Sequence, residues 1–161
     1  MEKYEAPLVH VRPGFPLENE KTILVDLGRF GLPGQVEEVW CEDIGDGSAR
    51  VASIPFGING VALFDVLSLE SSVDGHAAPV GGRSGRGVMR ILIDPSMEKG
   101  IADSIAEKIS NSLIGESLAH EWNGDRFVAV DIPSVSLSQN ILKMVDSTGG
   151  VYWEWGAECG I

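Results

Sequence analysis

The stretch Val88-Met89-Arg90-Ile91-Leu92-Ile93-Asp94-Pro95 decides how this chain is read. Six residues with one polar interruption predict a strand buried on both faces, at the centre of a sheet. Asp94-Pro95 then supplies an N-cap and a first helical position. Ile101, Ala102, Ile105, Ala106, Ile109 and Leu113 recur at intervals of three and four, one apolar helical stripe that Gly115 ends. Residues 117–122 and 126–132 read as strands joined through Asn123-Gly124-Asp125, a hairpin signal. Pro133 breaks the chain, and Ser136 with Gln139 forms a capping box for a second helix bearing Leu137, Ile141, Leu142 and Val145. Gly149-Gly150 closes that helix, and residues 151–155 are the last strand. The order β-α-β-β-α-β over 88–161 predicts a ferredoxin-like split unit, an antiparallel sheet with both helices on one face.

Upstream the punctuation changes. Residues 1–20, with Ala6-Pro7 and Arg12-Pro13-Gly14-Phe15-Pro16, read as an irregular lead-in. Residues 22–27 form a strand ended by Gly28. Residues 36–44 and 50–54 flank Gly45-Asp46-Gly47-Ser48, whose Asp-Gly pair suits the positive φ of a tight hairpin. Residues 61–69 follow Asn59-Gly60 as a further strand, and residues 70–87, with five glycines, are the loosest stretch. Short strands at this spacing predict a small, twisted, barrel-like β-rich half over 21–87. The fold class is therefore α+β, with the two halves packed as one unit.

The chain has 161 residues, 43% apolar and 22% charged, which is the balance of an ordered globular domain. Its net charge is −12. Residues 1–87 hold 7 basic against 13 acidic groups and residues 88–161 hold 5 against 11, so the acid is spread over the whole surface. Such a field repels phosphate backbones, which excludes nucleic acid as a partner, and it speeds encounter with a basic protein. No apolar run is long enough to span a membrane, and Met1-Glu2-Lys3-Tyr4-Glu5 is not the start of a signal peptide. Two cysteines, Cys41 and Cys159, exclude a disulfide scaffold and a Cys-rich zinc site, so the expected compartment is the cytoplasm.

Reactive chemistry finds little support. His10, His76 and His120 are isolated, with no second ligand at a metal-pair spacing, so neither metal nor cofactor is expected. Cys41 occupies an alternating strand position that favours an inert, buried thiol. No G-x-S-x-G elbow is present, and Ser84 has only His76 as a conceivable base. The run Gly81-Gly82-Arg83-Ser84-Gly85-Arg86-Gly87 offers amides and guanidinium groups to an anion. It precedes a strand rather than a helix, so no helix dipole faces such a ligand. Arg83, Ser84, Arg86 and Arg90 are its candidate anion ligands, in a cleft gated by residues 70–87.

The acidic stretch carries more information. On an alternating strand Glu38, Trp40 and Glu42 share one face, and Glu37, Val39 and Cys41 the other. An indole flanked by carboxylates is an anchor for a Lys- or Arg-rich partner. Glu37, Glu38, Trp40, Glu42, Asp43 and Asp46 are therefore candidate partner-binding residues. Trp153 and Trp155 share a face of the last strand, where they either roof the helices or add to the interface.

Gly31-Leu32-Pro33-Gly34, followed by Val36, Glu37 and Trp40, resembles a widespread bacterial family of unknown function. Its members carry a Glu-x-x-Trp strand and then a short Ile-Pro-Phe segment, here Ile54-Pro55-Phe56. The resemblance continues at Gly60, Asp65 and Val66 and at Ser84, Gly85 and Arg90; where many members have Gly before the Asp, this chain has Phe64. It implies no catalytic residue. By analogy, small acidic proteins of this kind act as immunity partners of bacterial toxins. The expected function is a non-enzymatic cytoplasmic immunity protein, monomer or homodimer, that occludes a basic, nuclease-type toxin. The alternative is a small anionic-ligand-binding or enzymatic domain built around the arginine cleft.

Overall fold

Strand β3 (Val36–Gly45) organises the first of two sheets. β2 (Glu20–Asp26) runs antiparallel along its whole length, from Glu20 opposite Glu42 to Asp26 opposite Val36. Its other edge is shared by β1 (Leu8–Val9), parallel at Glu37 and Glu38, and β4 (Ser48–Val51), antiparallel from Cys41 onward. β5 (Val66–Ser68) and β6 (Ala78–Gly82) extend the sheet beyond β4. The computed structural model describes residues 6–69 and 78–160. Among these residues the first sheet does not close into a barrel: its strands run in the order β1-β3-β4-β5-β6, with β2 also paired to β3. The lead-in is also not wholly irregular, because Leu8 and Val9 pair with β3.

The second sheet comprises β7 (Gly87–Ile93), β8 (His120–Asn123), β9 (Phe127–Ile132) and β10 (Val151–Ala157), antiparallel in the order β10-β7-β9-β8. Helices α1 (Lys99–Gly115) and α2 (Gln139–Asp146) both pack on one face, their Ala102, Ile109, Leu113, Ile141 and Val145 against Met89, Ile91 and Ile93 of β7 and Val128, Val130 and Ile132 of β9. The opposite face, through Val88 and Ala129, meets Ile54, Phe56 and Ala62 from the chain between β4 and β5. β7 is thus covered on both sides, which is why its sequence is an almost unbroken apolar run. Among the described residues no helix is long and apolar enough to cross a membrane.

Local polar groups account for most departures from the sequence expectation. Asp94 does not cap α1. Its carboxylate accepts the Ser96 N–H at 2.8 Å in a tight turn, and Glu98 caps the helix by accepting the Gly100 N–H at 3.0 Å. The expected box at Ser136 and Gln139 does not form either: residues Val135–Ser138 make a 3-10 turn, and α2 begins at Gln139. The strand expected over 61–69 shrinks to β5, because buried Asp65 accepts the Ala62 N–H at 3.0 Å and turns the chain. The β3–β4 hairpin is as the Asp-Gly pair predicts, with positive φ at Asp46 (54°) and Gly47 (69°).

The stripe on α1 is narrower than its spacing suggests, since Ile101 is 55% exposed while Ile109 is fully enclosed. We expect Ile109→Ala to lower the unfolding free energy by about 2–5 kcal/mol, and Ile101→Ala by less than about 1 kcal/mol, measured by chemical denaturation. Equal losses would contradict this packing of α1.

Candidate functional site

The acidic stretch divides along β3. Glu37 is sealed in the interior, 0% exposed. Its Oε1 accepts hydrogen bonds from His10 Nε2 at 2.7 Å and the Phe56 N–H at 2.6 Å, and its Oε2 accepts the Gly57 N–H at 2.8 Å. The other ring nitrogen of His10, Nδ1, donates to Glu121 Oε2 at 2.8 Å, and Glu121 Oε1 takes the Val11 N–H at 2.7 Å. His10 stacks on Phe56 with ring centroids 4.1 Å apart. Burial disfavours a charged ring, but the hydrogen bonds and charges of Glu121 and Glu37 together outweigh it and raise the His10 pKa to about 9. With both nitrogens engaged, His10 is an imidazolium strut joining the two sheets and offers no lone pair to a metal or a substrate. Glu37 therefore leaves the expected partner-binding set: it is structural.

The opposite face of β3 is partly accessible among the described residues. Glu38, Trp40 and Glu42 alternate along it, all half-buried. Thr22 and Leu24 of β2 lie opposite Trp40 and Glu38, and Val9 of β1 lies beside Glu38. Leu24 is 59% exposed and Val9 62%. The Trp40 indole N–H donates to the His10 carbonyl at 3.2 Å, so the strut also fixes the indole. Glu42 accepts the Glu18 N–H at 2.9 Å and lies 3.7 Å from Arg50. At the strand end Asp43 bonds the Gly45 N–H and Lys21, which hold its carboxyl below the usual range, and Asp46 sits exposed in the hairpin turn.

The remaining candidates are scattered. Trp153 and Trp155 pack toward the helices, edge to face at 6.1 Å, and the Trp153 N–H donates to Asp146, which places them away from the β3 face. Arg83 and Arg86 line one recess of about 260 Å³ together with Asp65 and Glu158, and Arg90 is not among the residues that line it. Arg86 makes a two-pronged pair with buried Asp131, and Arg83 reaches the Gly60 carbonyl at 3.4 Å. Ser84 is spent on turns: its N–H donates to Asp65 at 2.7 Å and its Oγ accepts the Arg86 N–H at 3.2 Å. Arg90 lines a separate cleft of about 510 Å³ between the two sheets, walled by Phe30, Leu32 and Phe56 on one side and Phe127 and Glu154 on the other. The expected gate falls partly on residues 70–77, which with His76 lie outside the described residues. Among the described residues no group of three His, Cys, Asp or Glu side chains is placed to hold a metal. Burial pushes the Cys41 thiol up to about 12, and His120 is engaged by the Leu118 carbonyl at 2.9 Å.

Residues 37–155 match the model of a domain of unknown function, DUF4265. The chain belongs to the DUF4265 family. No curated protein matches it. Among solved structures, a hypothetical protein from Neisseria gonorrhoeae is similar in fold, with a TM-score of 0.58 at 17% identity, over 91% of this chain and 99% of that one. Within the DUF4265 stretch of this chain, the short motifs quoted from the sequence meet one another: Glu37 holds Phe56 and Asp65 holds Ser84.

Sequence reasoning missed the strut because His10 is 27 residues from Glu37 and 111 from Glu121. It makes a definite pH prediction. The folded-state pKa of about 9 lies above the ordinary histidine value of 6.5, so the strut contributes fully below pH 6.5 and is lost as pH rises through 9. Thermal unfolding from pH 6 to 9.5 should show a falling midpoint above pH 6.5 that His10→Gln lacks. Parallel profiles for the two proteins would contradict a charged His10.

Proposed function

We propose that this DUF4265 protein is a non-enzymatic binding protein that receives a basic protein partner on the outer face of its first sheet. The observation that carries the reading is the outer β3 face, where half-buried Trp40 stands between Glu38 and Glu42 beside exposed Leu24 and Val9. Apolar anchors rimmed by carboxylates suit a cationic surface that carries its own aromatic or aliphatic contacts. The net charge of −12 adds long-range attraction and raises the encounter rate. In its concrete form the protein is a cytoplasmic immunity protein, and its carboxylates stand in for the nucleic-acid substrate of a nuclease-type toxin whose active site it occludes. The strand order of the second sheet favours a ferredoxin-like reading of residues 88–161, with the β-rich half as the recognition module built onto it.

The test uses the two carboxylates on this surface that make no hydrogen bond or ion pair among the described residues, Glu38 and Asp46. Affinity capture with the immobilised protein, followed by mass spectrometry, is expected to return a protein of high pI. Combining Glu38→Lys with Asp46→Asn, which keeps a residue tolerant of the turn's positive φ, should slow association with it about tenfold and flatten its salt dependence. An association rate and salt slope unaltered by the double variant, or an acidic partner, would overturn the reading.

A further inference from the structure

Arg90 is the one polar side chain in the apolar run of β7, and it is buried. Its Nη1 donates to Asn59 Oδ1 at 2.7 Å and to Glu154 Oε1 at 3.2 Å, and its Nη2 donates to the Ile58 carbonyl at 3.0 Å. Its Nε is buried and has no hydrogen-bond partner among the described residues. Gly156 lets it lie there, because a Cβ at that position would stand 2.7 Å from Nε. An under-satisfied guanidinium in the interior is costly, and it calls for a reason to be kept.

The balance of charge around it supplies one. Asn59 and the Ile58 carbonyl are neutral, so among the described residues the only carboxylate bonded to Arg90 is Glu154. That side chain is 67% exposed and makes a single contact with Arg90, at 3.2 Å, so water competes for it. The pair lies on the cleft of about 510 Å³ between the sheets, within the roughly 300–1,000 Å³ range of small-molecule sites. The aromatic walls are rigid: Phe56 is buried, stacked on His10, and in edge contact with Phe127 at 6.1 Å. The cleft continues over Leu92 and Tyr152 into a further recess of about 210 Å³ that shares Arg90, Phe127 and Glu154.

We propose that this cleft binds a small monocarboxylate with an aromatic or aliphatic body. The ligand's carboxylate takes the place of Glu154 on Arg90 Nη1, and its apolar body lies along the wall made by Phe30, Leu32 and Phe127. A single buried cation matches a single negative charge. A phosphate dianion would leave its second charge facing Glu154 in a protein already at −12. The site is separate from the β3 outer face and does not depend on the docking reading.

The experiment titrates the protein at pH 7 with 3-phenylpropionate, its neutral amide and inorganic phosphate, following amide shifts at Asn59, Phe127 and Gly156 and tryptophan fluorescence. Saturable binding of the acid at these positions is expected, with the amide at least tenfold weaker and phosphate without effect. Glu154→Gln removes the competing carboxylate from an exposed position, so it should tighten the acid threefold or more and leave the amide unchanged. Equal binding of acid and amide, an acid affinity indifferent to Glu154→Gln, phosphate binding at the same residues, or no saturable binding would overturn the proposal.

Discussion

A carboxylate with no access to water, that of Glu37, sets the geometry on which the rest of the protein depends. Taking such a charge out of water costs several kcal/mol, and it is tolerated only when its lone pairs are filled. Here they are filled by the amides of Phe56 and Gly57 and by the His10 imidazolium. Those three bonds fix the segment that follows β4, and that segment supplies Ile58 and Asn59 to Arg90 on β7. His10 carries the same constraint to Glu121 on β8. Each polar tie between the sheets is therefore linked to the next, in surroundings where removing one partner strands the other.

Three carboxylates from one short stretch meet three fates, and the alternation of a strand explains why. Glu37 points inward with Val39 and Cys41 and becomes structural. Glu38, one residue on, faces outward beside Trp40 and stays available. Asp43 lies where the strand runs out into its hairpin and is taken up by Lys21 and a turn amide. A count of acidic residues treats these positions alike. Burial separates them, and the outer face that remains is smaller and more apolar than the sequence implies, with Leu24 and Val9 more exposed than half-buried Glu38 and Glu42.

What the sequence disclosed was local. The alternation over β3, the Asp-Gly hairpin and the doubly covered β7 follow from side-chain period and turn chemistry, which neighbouring residues determine. The α+β class and the order of elements after residue 87 follow in the same way. Three features were not legible, each for a physical reason. Asp94 and Ser136 had the residue type of a cap, but a tight turn at Ser96 took up the Asp94 carboxylate and the Ser134 hydroxyl paired with that of Ser136. Asp65 looked like part of a strand because nothing nearby announced that Ser84 would bond it. The pairing of His10 with Glu37 and Glu121 depends on tertiary closure, and an isolated histidine in a proline-rich lead-in gives no sign of it. The same holds for Arg90, whose partners come from a loop and from the last strand.

The most direct measurement of this account is amide hydrogen exchange at Phe56 and Gly57 in the wild-type protein and in Glu37→Gln. If the buried carboxylate anchors the segment between β4 and β5, the variant should exchange these two amides at least tenfold faster relative to the amides of β7 and β9. If Phe56 and Gly57 keep their full relative protection without that negative charge, Glu37 is not what holds the two sheets in register, and the account fails at its base.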